Sequence, residues 1–451
     1  MTQTNRRAWH DINRFHMALS KIELDKKWLF ILVVVGLLAG CASPPQRPNI
    51  ILIMADDLGY EALGVNGSTS YHTPNLDALA RDGMRFTRCY STPLCTPSRV
   101  QLMTGKYNFR NYIGFGLLDP KERTFGHLLR DAGYRTAIVG KWQLYGNERQ
   151  RELAGRGGSL PGQAGFDEHS LWQVKERGWR FKDPHLDVTG RPVQTYPGAY
   201  GPDKFVDYIG DFLERHRDQP FFLYYPMVLT HDPFRPTPDH PAYDTLDPAG
   251  VNDTTYFADN VAYMDKIIGR IVGQLDRLGL RENTLLLFMG DNGTDRDVVS
   301  RVGDRRIRGD KGHPTEAGTH VPMIANWPGV IDPGAVNDNL IDFTDFLPTF
   351  IEAAGLEAPE EGVSDGLSFY RQLVGTADTT RAWVFCHYAP RWGRFAPRRF
   401  VHDTDWKLYG DGTFYHVATD PEEQHPVADE ALTDDARQVK ERFQAVLNRL
   451  R

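Results

Sequence analysis

Short continuous apolar runs, separated by segments of helical periodicity, constrain the fold of this chain more than any other feature. Continuous rather than alternating apolar residues are typical of strands buried on both faces, and such strands belong to parallel sheets covered by helices. The sequence therefore predicts an α/β fold with a mostly parallel central sheet and helices on both faces. The predicted strands are residues 49–55, 136–139, 221–225, 284–289 and 321–325, and the predicted helices are residues 75–82, 124–132 and 257–278.

The pattern changes after about residue 355. An acidic segment with Pro and Gly, residues 357–366, is typical of a domain boundary. Beyond it we predict a small antiparallel sheet from strands at 383–387, 400–406 and 412–417, the last two joined by a Tyr-Gly-Asp-Gly turn, and a closing helix at 434–450. The expected domains are a catalytic domain over 49–356 and a C-terminal α+β subdomain over 357–451.

Composition excludes several classes of protein. The 451 residues are 41% hydrophobic and 25% charged, which is ordinary for a globular protein and unlike a disordered or polytopic membrane protein. The formal net charge is -7, and the sequence shows no basic run beyond short doublets, so we expect no nucleic-acid partner. Four cysteines are too few for a disulfide framework, and the core must therefore stabilise the fold.

The N-terminal segment has the pattern of an export signal. Residues 28–39 are apolar but shorter than the roughly 20 residues that span a bilayer. A basic pair precedes this run, and Leu-Ala-Gly followed by Cys41 resembles the lipobox of bacterial lipoproteins. We therefore predict a signal peptide over 1–40, a lipidated Cys41 and a tether over 41–48. An uncleaved anchor is the alternative.

This signal predicts a location as well. A lipidated Cys41 would anchor the protein in the bacterial cell envelope. Ala42 differs from the Asp that commonly retains lipoproteins at the inner membrane, so we expect the outer membrane, with the protein facing the periplasm or the surface. The translation start is Met1 or Met17, because Met17 gives the more usual signal length.

Polar residues follow several predicted strands at the point where each strand ends. Asp56 and Asp57 come directly after one strand, and Asp291 and Asn292 after another. Ligands of open α/β sheets bind beyond the carboxyl ends of the strands, and hard cations such as Ca²⁺ or Mg²⁺ prefer oxygen ligands. A metal site and simple helix capping both fit this spacing. Lys141 and His231 follow two further strands.

A second feature is the segment Cys95–Arg99 (CTPSR), followed by Thr-Gly-Lys at 104–106. Pro97 suits the first turn of a helix. Arg99 and Lys106, with the helix N-terminus, would place an anion pocket in a net-acidic protein. For Cys95 alone, a buried thiol that packs as a small apolar residue is the competing interpretation.

These residues resemble a known family. The CTPSR segment with Thr-Gly-Lys resembles the C-x-P-S-R…T-G-R/K signature of the type I, formylglycine-dependent sulfatases of the alkaline phosphatase superfamily. Matching motifs follow in order at 56–57 (DD), 140–142 (GKW), 231–233 (HDP), 291–293 (DNG) and 311–329. The resemblance is strong over 49–329 and weaker at 414–423. It implies the fold of that superfamily and the hydrolysis of sulfate esters.

The resemblance implies a modified residue and a metal. A separate maturation enzyme would oxidise Cys95 to formylglycine, whose hydrated aldehyde attacks sulfur with one hydroxyl and releases sulfate by deprotonation of the other. One Ca²⁺, with Mg²⁺ as the alternative, would be held by the modified Cys95 together with Asp56, Asp57, Asp291 and Asn292.

The resemblance also implies roles for the basic residues. Arg99 would hold the diol, and Lys141 and Lys311 would bind sulfate oxygens. His231 would serve with Lys311 as proton donor to the leaving oxygen.

The sequence departs from the family in two places. The family usually has His two residues after the lysine of G-K-W-H, where this chain has Gln143. If the chain is extended here, alternation directs Lys141 and Gln143 to the same side. The family also favours E-G-G-x-R-V-P, where residues 316–322 read EAGTHVP, with His320 at the position of the Arg.

The leading hypothesis for function is hydrolysis of a sulfate ester on a sugar or polysaccharide. A formylglycine-dependent phosphodiesterase or phosphonate monoester hydrolase is the alternative, and a non-catalytic glycan-binding lipoprotein is a third hypothesis. Loops at 108–116, 144–179 and 388–399 are expected to shape the pocket. The candidate substrate-binding residues are Lys106, Gln143, Arg391 and Arg394.

Overall fold

The computed structural model describes residues 47–247, 250–357, 362–377 and 379–450. The predicted signal peptide, the predicted lipidation site Cys41 and most of the predicted tether lie outside the described residues. Within the described part of the chain, no helix has the length and apolar character needed to cross a membrane.

The described residues contain seventeen strands, which form three sheets. They are β1 (Asn49–Ala55), β2 (Met84–Tyr90), β3 (Arg135–Lys141), β4 (Glu168–Trp172), β5 (His185–Val188), β6 (Gln194–Thr195), β7 (Phe221–Pro226), β8 (Thr284–Gly290), β9 (Val299–Val302), β10 (Arg305–Arg308), β11 (His320–Asn326), β12 (Ala335–Asn337), β13 (Ile341–Asp342), β14 (Val384–Tyr388), β15 (Arg398–His402), β16 (Trp406–Tyr409) and β17 (Phe414–His416). The large sheet has the order β12-β2-β11-β8-β1-β7-β3-β4-β5-β6, with β13 also paired to β2.

The centre of the large sheet is parallel. β1 pairs in parallel with β7 on one side and β8 on the other, and β3 and β4 continue the parallel set beyond β7. Every residue of β1, β7 and β8 is buried, as their continuous apolar sequence predicts. β11 runs antiparallel to both β8 and β2, so the sheet is mixed towards this edge. All five predicted strands are confirmed, each within two residues at either end.

Helices cover both faces of this sheet, as predicted. They are α1 (Pro74–Arg81), α2 (Cys95–Thr104), α3 (Phe125–Asp131), α4 (Glu148–Ala154), α5 (Gly201–Arg215), α6 (Phe257–Arg277), α7 (Glu316–Thr319), α8 (Phe346–Ala353), α9 (Tyr370–Leu373) and α10 (Asp434–Arg449). Alternate residues of β1 enter opposite cores. Ile51 packs in the core that contains α5 and α6, and Ile50 in the core that contains α2 and α8.

The C-terminal part forms an antiparallel sheet in the order β14-β15-β16-β17, with α10 packed against it through Phe443 and Leu447. The prediction of one strand over 400–406 is wrong. The chain turns at Asp403, whose carboxylate accepts hydrogen bonds from the backbone N–H groups of Asp405 and Trp406 at 2.9 and 2.8 Å. The Asp403 side chain thus takes the place of a neighbouring strand as the acceptor for those two N–H groups. The segment is therefore divided into β15 and β16 by a turn.

Candidate active site

The carboxyl ends of β1 and β8 bring four oxygen-bearing side chains together. The Asp57 backbone N–H donates to Asp291 Oδ1 at 2.9 Å, and Asn292 Nδ2 donates to Asp57 Oδ1 at 2.9 Å. Asp56, Asp57, Asp291 and Asn292 are each at most 2% exposed. Asp57 has a φ of 62°, a conformation that Asp adopts more readily than most residues and that lets both aspartates enter the site. The predicted cluster at the strand ends is therefore present.

Two lysines balance these buried carboxylates. Lys141 Nζ, at the end of β3, donates to both oxygens of Asp56 at 2.9 and 2.7 Å, and Lys311 Nζ pairs with Asp57. Burial acts to raise the pKa of Asp56, but the charge of Lys141 and its hydrogen bond hold that pKa well below its usual range. Burial acts to lower the pKa of Lys311, but the charge of Asp57 holds it above its usual value.

The cluster has the donor set of a site for a hard cation. Burial and the neighbouring charges of Asp56 and Asp57 raise the pKa of Asp291 well above its ordinary value. The Asn292 Oδ1 atom is buried and accepts no hydrogen bond from the described residues. A divalent cation would both stabilise the Asp291 carboxylate and supply the partner that Asn292 Oδ1 lacks. These residues therefore fit a metal ion.

Potential ligand atoms of the described residues also form two closely spaced groups. Asp56, Asp57 and His231 form one, and Asp57, Asp232 and Asp295 form the other, with the ligand atoms of each group within 4.8 Å of one another. Asp57 belongs to both groups. It is the carboxylate around which a metal site would form.

Cys95 is the first residue of α2 and lies beside this cluster. Pro97 is in the first turn of the helix, as predicted, and Cys95 is 3% exposed. Burial raises the pKa of the Cys95 thiol, and the charge of Lys141 acts in the opposite direction. The thiol in its unmodified state is therefore a weak nucleophile.

Arg99 lies about one turn after Cys95 in α2 and projects to the end of β3. It donates to the backbone carbonyl of Trp142 at 2.9 Å and to that of Lys141. Its Nε is buried and has no partner among the described residues. Arg99 thus ties the helix that carries Cys95 to the strand that carries Lys141.

His231 lies between a carboxylate and Lys311. His231 Nδ1 is 2.7 Å from Asp232 Oδ1, and Lys311 Nζ is 3.2 Å from His231 Nε2. Because Nδ1 donates to the carboxylate, Nε2 is free to accept from the Lys311 ammonium. The hydrogen bond to His231 holds the pKa of Asp232 below its usual range. These contacts hold the Lys311 ammonium and the His231 imidazole next to each other in the site.

Cys95, His231 and Lys311 open onto a cleft of about 1080 Å³. Each of the three loops expected to shape the pocket contributes to its lining, including Phe115, Trp179 and Trp392. Phe115 and Trp392 stack with ring centroids 5.0 Å apart, which joins the first and third of these loops.

Sequence reasoning missed Arg180, which lies one residue beyond the end of the expected loop 144–179. Its guanidinium lies over the rings of Trp172 and Phe181, at 4.8 and 5.1 Å from their centroids. Its Nη2 is 3.2 Å from His231 Nδ1 and also donates to the backbone carbonyl of Asp232. The only sequence signal was an Arg between two aromatic residues in a long loop.

Gln143 lines the cleft, but the extended-chain argument for it is wrong. β3 ends at Lys141, and Gln143 has a φ of 47°, so the two residues do not alternate along a strand. The backbone N–H of Gln143 donates to the Gln173 carbonyl at 3.1 Å, which fixes this turn on the cleft wall.

Three predicted substrate-binding residues are not brought to the cleft lining. Lys106 pairs with Glu122 at 2.9 Å. Arg391 and Arg394 are exposed on the loop whose aromatic residues, Trp392 and Phe395, line the cleft in their place.

Comparison with known proteins places these residues in a family. The family model described as Sulfatase matches residues 48–356, and the model described as N-sulphoglucosamine sulphohydrolase, C-terminal, matches residues 309–451. The N-acetylgalactosamine-6-sulfatase of Canis lupus familiaris is 30% identical over 445 residues, covering 88% of this chain and 82% of the relative. Arylsulfatase A of Homo sapiens is 32% identical over 389 residues, covering 78% and 73%.

A solved structure agrees with these relatives. The crystal structure of Ps i-CgsB in complex with k-i-k-neocarrahexaose matches with a TM-score of 0.71 and 25% identity, covering 88% of this chain and 93% of that chain. From the fold, the strand-end cluster and the matched residues we conclude that this chain is an enzyme of the sulfatase family, which hydrolyses sulfate esters and belongs to the alkaline phosphatase superfamily.

Proposed function

We propose that this sulfatase removes sulfate from a sulfated sugar or polysaccharide, using a formylglycine made from Cys95 and one Ca²⁺. The observation that carries the proposal is the position of Cys95. It starts a helix, lies beside the buried carboxylate cluster, and opens onto the same cleft as His231 and Lys311. A separate maturation enzyme would have to act on this thiol, because burial leaves it a poor nucleophile as it stands.

The residues that would hold the cation are Asp56, Asp57, Asp291 and Asn292, with the modified Cys95. A bound Ca²⁺ would neutralise carboxylate charge and polarise a sulfate oxygen, and Mg²⁺ is the alternative ion. A hydrated formylglycine at position 95 would supply one hydroxyl as the nucleophile, and deprotonation of its second hydroxyl would regenerate the aldehyde and release sulfate, a route that an alcohol or thiol lacks.

The chain's own basic residues bind the sulfate group and supply the proton. Lys141 lies beneath the site with a 2% exposed side chain, and Arg99 fixes its backbone. The Lys311 side chain is 14% exposed and lines the cleft, so its ammonium reaches substrate. Lys311 and His231 together protonate the leaving oxygen, with Asp232 holding the imidazole in one tautomer.

The lining of the cleft favours a sugar substrate. Aromatic rings, among them Trp179 and Trp392, alternate with charged and amide side chains, which suits the apolar faces and hydroxyl groups of sugars. The relative from Canis lupus familiaris is named for the 6-sulfate of an amino sugar. Phosphate and phosphonate esters carry a similar tetrahedral oxyanion, so the phosphodiesterase or phosphonate hydrolase alternative is an outcome of the test below.

The central prediction concerns Cys95. Protein made with a formylglycine-generating enzyme should hydrolyse p-nitrophenyl sulfate, and Cys95→Ala should lower kcat by about 10³-fold or more because the nucleophile is lost. Trypsin should release Cys89–Arg99, which contains both Cys89 and Cys95. Tandem mass spectrometry should place the aldehyde at Cys95 and an intact thiol at Cys89.

The control is Cys89→Ser, which removes a buried thiol outside the cleft lining and should retain turnover. An all-thiol preparation with full activity would exclude formylglycine. Faster hydrolysis of p-nitrophenyl phosphate, its diester or a phosphonate ester would favour the alternative chemistry. Modified protein that binds sulfated oligosaccharides and hydrolyses none of these would favour the glycan-binding hypothesis.

A second prediction concerns the metal. Ca²⁺ at a hundredfold excess over Kd should stabilise the wild-type protein by about 2.7 kcal/mol in thermal unfolding. Asp291→Asn should lose this stabilisation and most activity, because it removes one carboxylate of the cluster. Asp265→Asn is the matched control, since Asp265 is a buried carboxylate that accepts hydrogen bonds from Asn75 and Leu76 outside the cleft, and its Ca²⁺ response should persist. Zinc at full occupancy in active protein, by elemental analysis, would contradict the assignment.

A third prediction concerns Gln143, where the family has His. A Gln cannot accept a proton, so we expect sulfate release to limit turnover. Gln143→His should raise kcat by up to about 10²-fold with KM nearly unchanged, because a general base typically contributes 10²–10⁴-fold. His tolerates the left-handed backbone at this position.

The matched control is Gln173→His. Gln173 also lines the cleft, has a φ of 58° and accepts the backbone hydrogen bond of Gln143. It should not gain kcat. If Gln143→His raises KM for a sulfated sugar and leaves the burst of alcohol over sulfate unchanged, Gln143 acts in substrate recognition instead.

We also propose that Cys41 is lipidated and anchors the protein in the bacterial cell envelope, at the outer membrane. Labelled palmitate should enter the wild-type protein and not Cys41→Ser, and the variant should leave the membrane fraction. Cys386→Ser controls for loss of a thiol elsewhere. Soluble export of unlabelled wild-type protein would contradict the anchor, and labelled protein in the inner-membrane fraction would contradict the assigned membrane.

A further inference from the structure

The segment between Asn292 and Lys311 carries a basic hairpin beside the cleft. Strands β9 and β10 pair in antiparallel register, with Arg306 opposite Arg301 and Arg308 opposite Val299. Residues 296–308 contain five arginines and two aspartates, in a chain whose formal net charge is -7. The hairpin is therefore a local reversal of the protein's charge.

The two faces of the hairpin differ. On one face Ser300 is buried, and its hydroxyl is 2.9 Å from the hydroxyl of Tyr71, so this face packs on the body of the protein. Directly opposed residues share a face, so Arg301, Arg306 and Arg308 lie together on the other face, and all three are exposed. We call these three residues the hairpin arginine face.

The positive charges of Arg301 and Arg306 on the hairpin arginine face are not paired with carboxylates among the residues that the structure describes, although the two residues oppose each other directly. Like charges in directly opposed positions destabilise an antiparallel pair. An anion bound between them would remove that repulsion.

The same face begins at the wall of the cleft. Arg308 lines the cleft, and its Nε donates to the backbone carbonyl of Arg296 at 2.7 Å. Arg296 lines the cleft as well and pairs with Asp310 at 3.1 Å. Arg306, two residues before Arg308 in β10, lies about 7 Å further from the cleft along the strand. Arginine side chains thus continue from the wall of the cleft, where Asp295 and Asp297 also lie, onto an open surface.

We propose that the hairpin arginine face binds the chain of a polyanionic glycan as it leaves the cleft, so that the substrate is a polymer with further sulfate or carboxylate groups. This inference rests on the proposed function, since it assumes that the group in the cleft is a sulfate ester of a sugar. Continuity with the cleft favours a flexible chain over a lipid surface, because a planar headgroup layer does not enter the cleft. Arginine forks suit both sulfate and carboxylate.

The test compares R301Q/R306Q with R191Q/R442Q, which removes two exposed arginines outside the cleft lining. Binding of fluorescein-labelled dextran sulfate is measured by anisotropy on full-length chains that also carry Cys95→Ala. R301Q/R306Q should weaken binding about tenfold or more at low salt and make the salt dependence shallower by about two counterions. The control should bind as its parent does. The melting temperature of R301Q/R306Q should be no lower than that of its parent, because a repulsion has been removed.

Competition completes the test. With modified, active protein, dextran sulfate should inhibit p-nitrophenyl sulfate hydrolysis, and R301Q/R306Q should raise its inhibition constant while that of inorganic sulfate stays unchanged. Equal affinity for dextran sulfate in both double variants would overturn the proposal, as would binding that does not compete. Loss of binding to phosphatidylglycerol vesicles alone would assign the face to lipid. The anisotropy measurement needs no turnover, so failure of the proposed function is detected separately.

Discussion

The site depends on the balance between buried carboxylates and the positive charges that pair with them. Asp56 and Asp57 project from the end of a fully buried strand, where an unpaired carboxylate is strongly destabilised. Lys141 and Lys311 supply the two positive charges that stabilise these carboxylates in the protein interior. The remaining carboxylate, Asp291, has no lysine of its own, and its raised pKa identifies where positive charge is still needed. A divalent cation bound at this point would supply that charge.

This balance is built from separate parts of the chain. The parallel order of β8, β1, β7 and β3 places four strand ends at one edge, and each end contributes a charged group to the site or leads to one. Arg99 then ties α2 to the end of β3, so that Cys95 and Lys141 keep a fixed relation. The acidic and basic groups come from segments far apart in sequence, and the sheet together with the loops and helix at its carboxyl edge sets their separation.

The sequence predicted the strand ends well, because buried strands and the polar residues after them leave a local signal. It failed where a side chain forms the hydrogen bonds of a turn, as at Asp403, and where the chain leaves the extended conformation just after a strand, as at Gln143. It did not find Arg180 or the opposed Arg301 and Arg306, because their partners are set by loop packing and hairpin register. A basic doublet such as Arg305-Arg306 gives no distinctive signal in a sequence. The arginines come together only because β9 and β10 pair across the turn.

The second departure from the family, His320, is explained by packing rather than by substrate contact, because His320 does not line the cleft. Its ring stacks between Tyr60 and Tyr90, at centroid distances of 4.1 and 5.0 Å. Nδ1 is 3.0 Å from Glu316 Oε1 and Nε2 is 2.8 Å from the Thr87 carbonyl oxygen, so each ring nitrogen lies beside an oxygen acceptor. Burial acts to raise the pKa of Glu316, but the His320 charge lowers it to about 2. His320 therefore fills the position of the family's arginine with a flat ring that packs between two tyrosines and keeps both of its nitrogens beside oxygen acceptors.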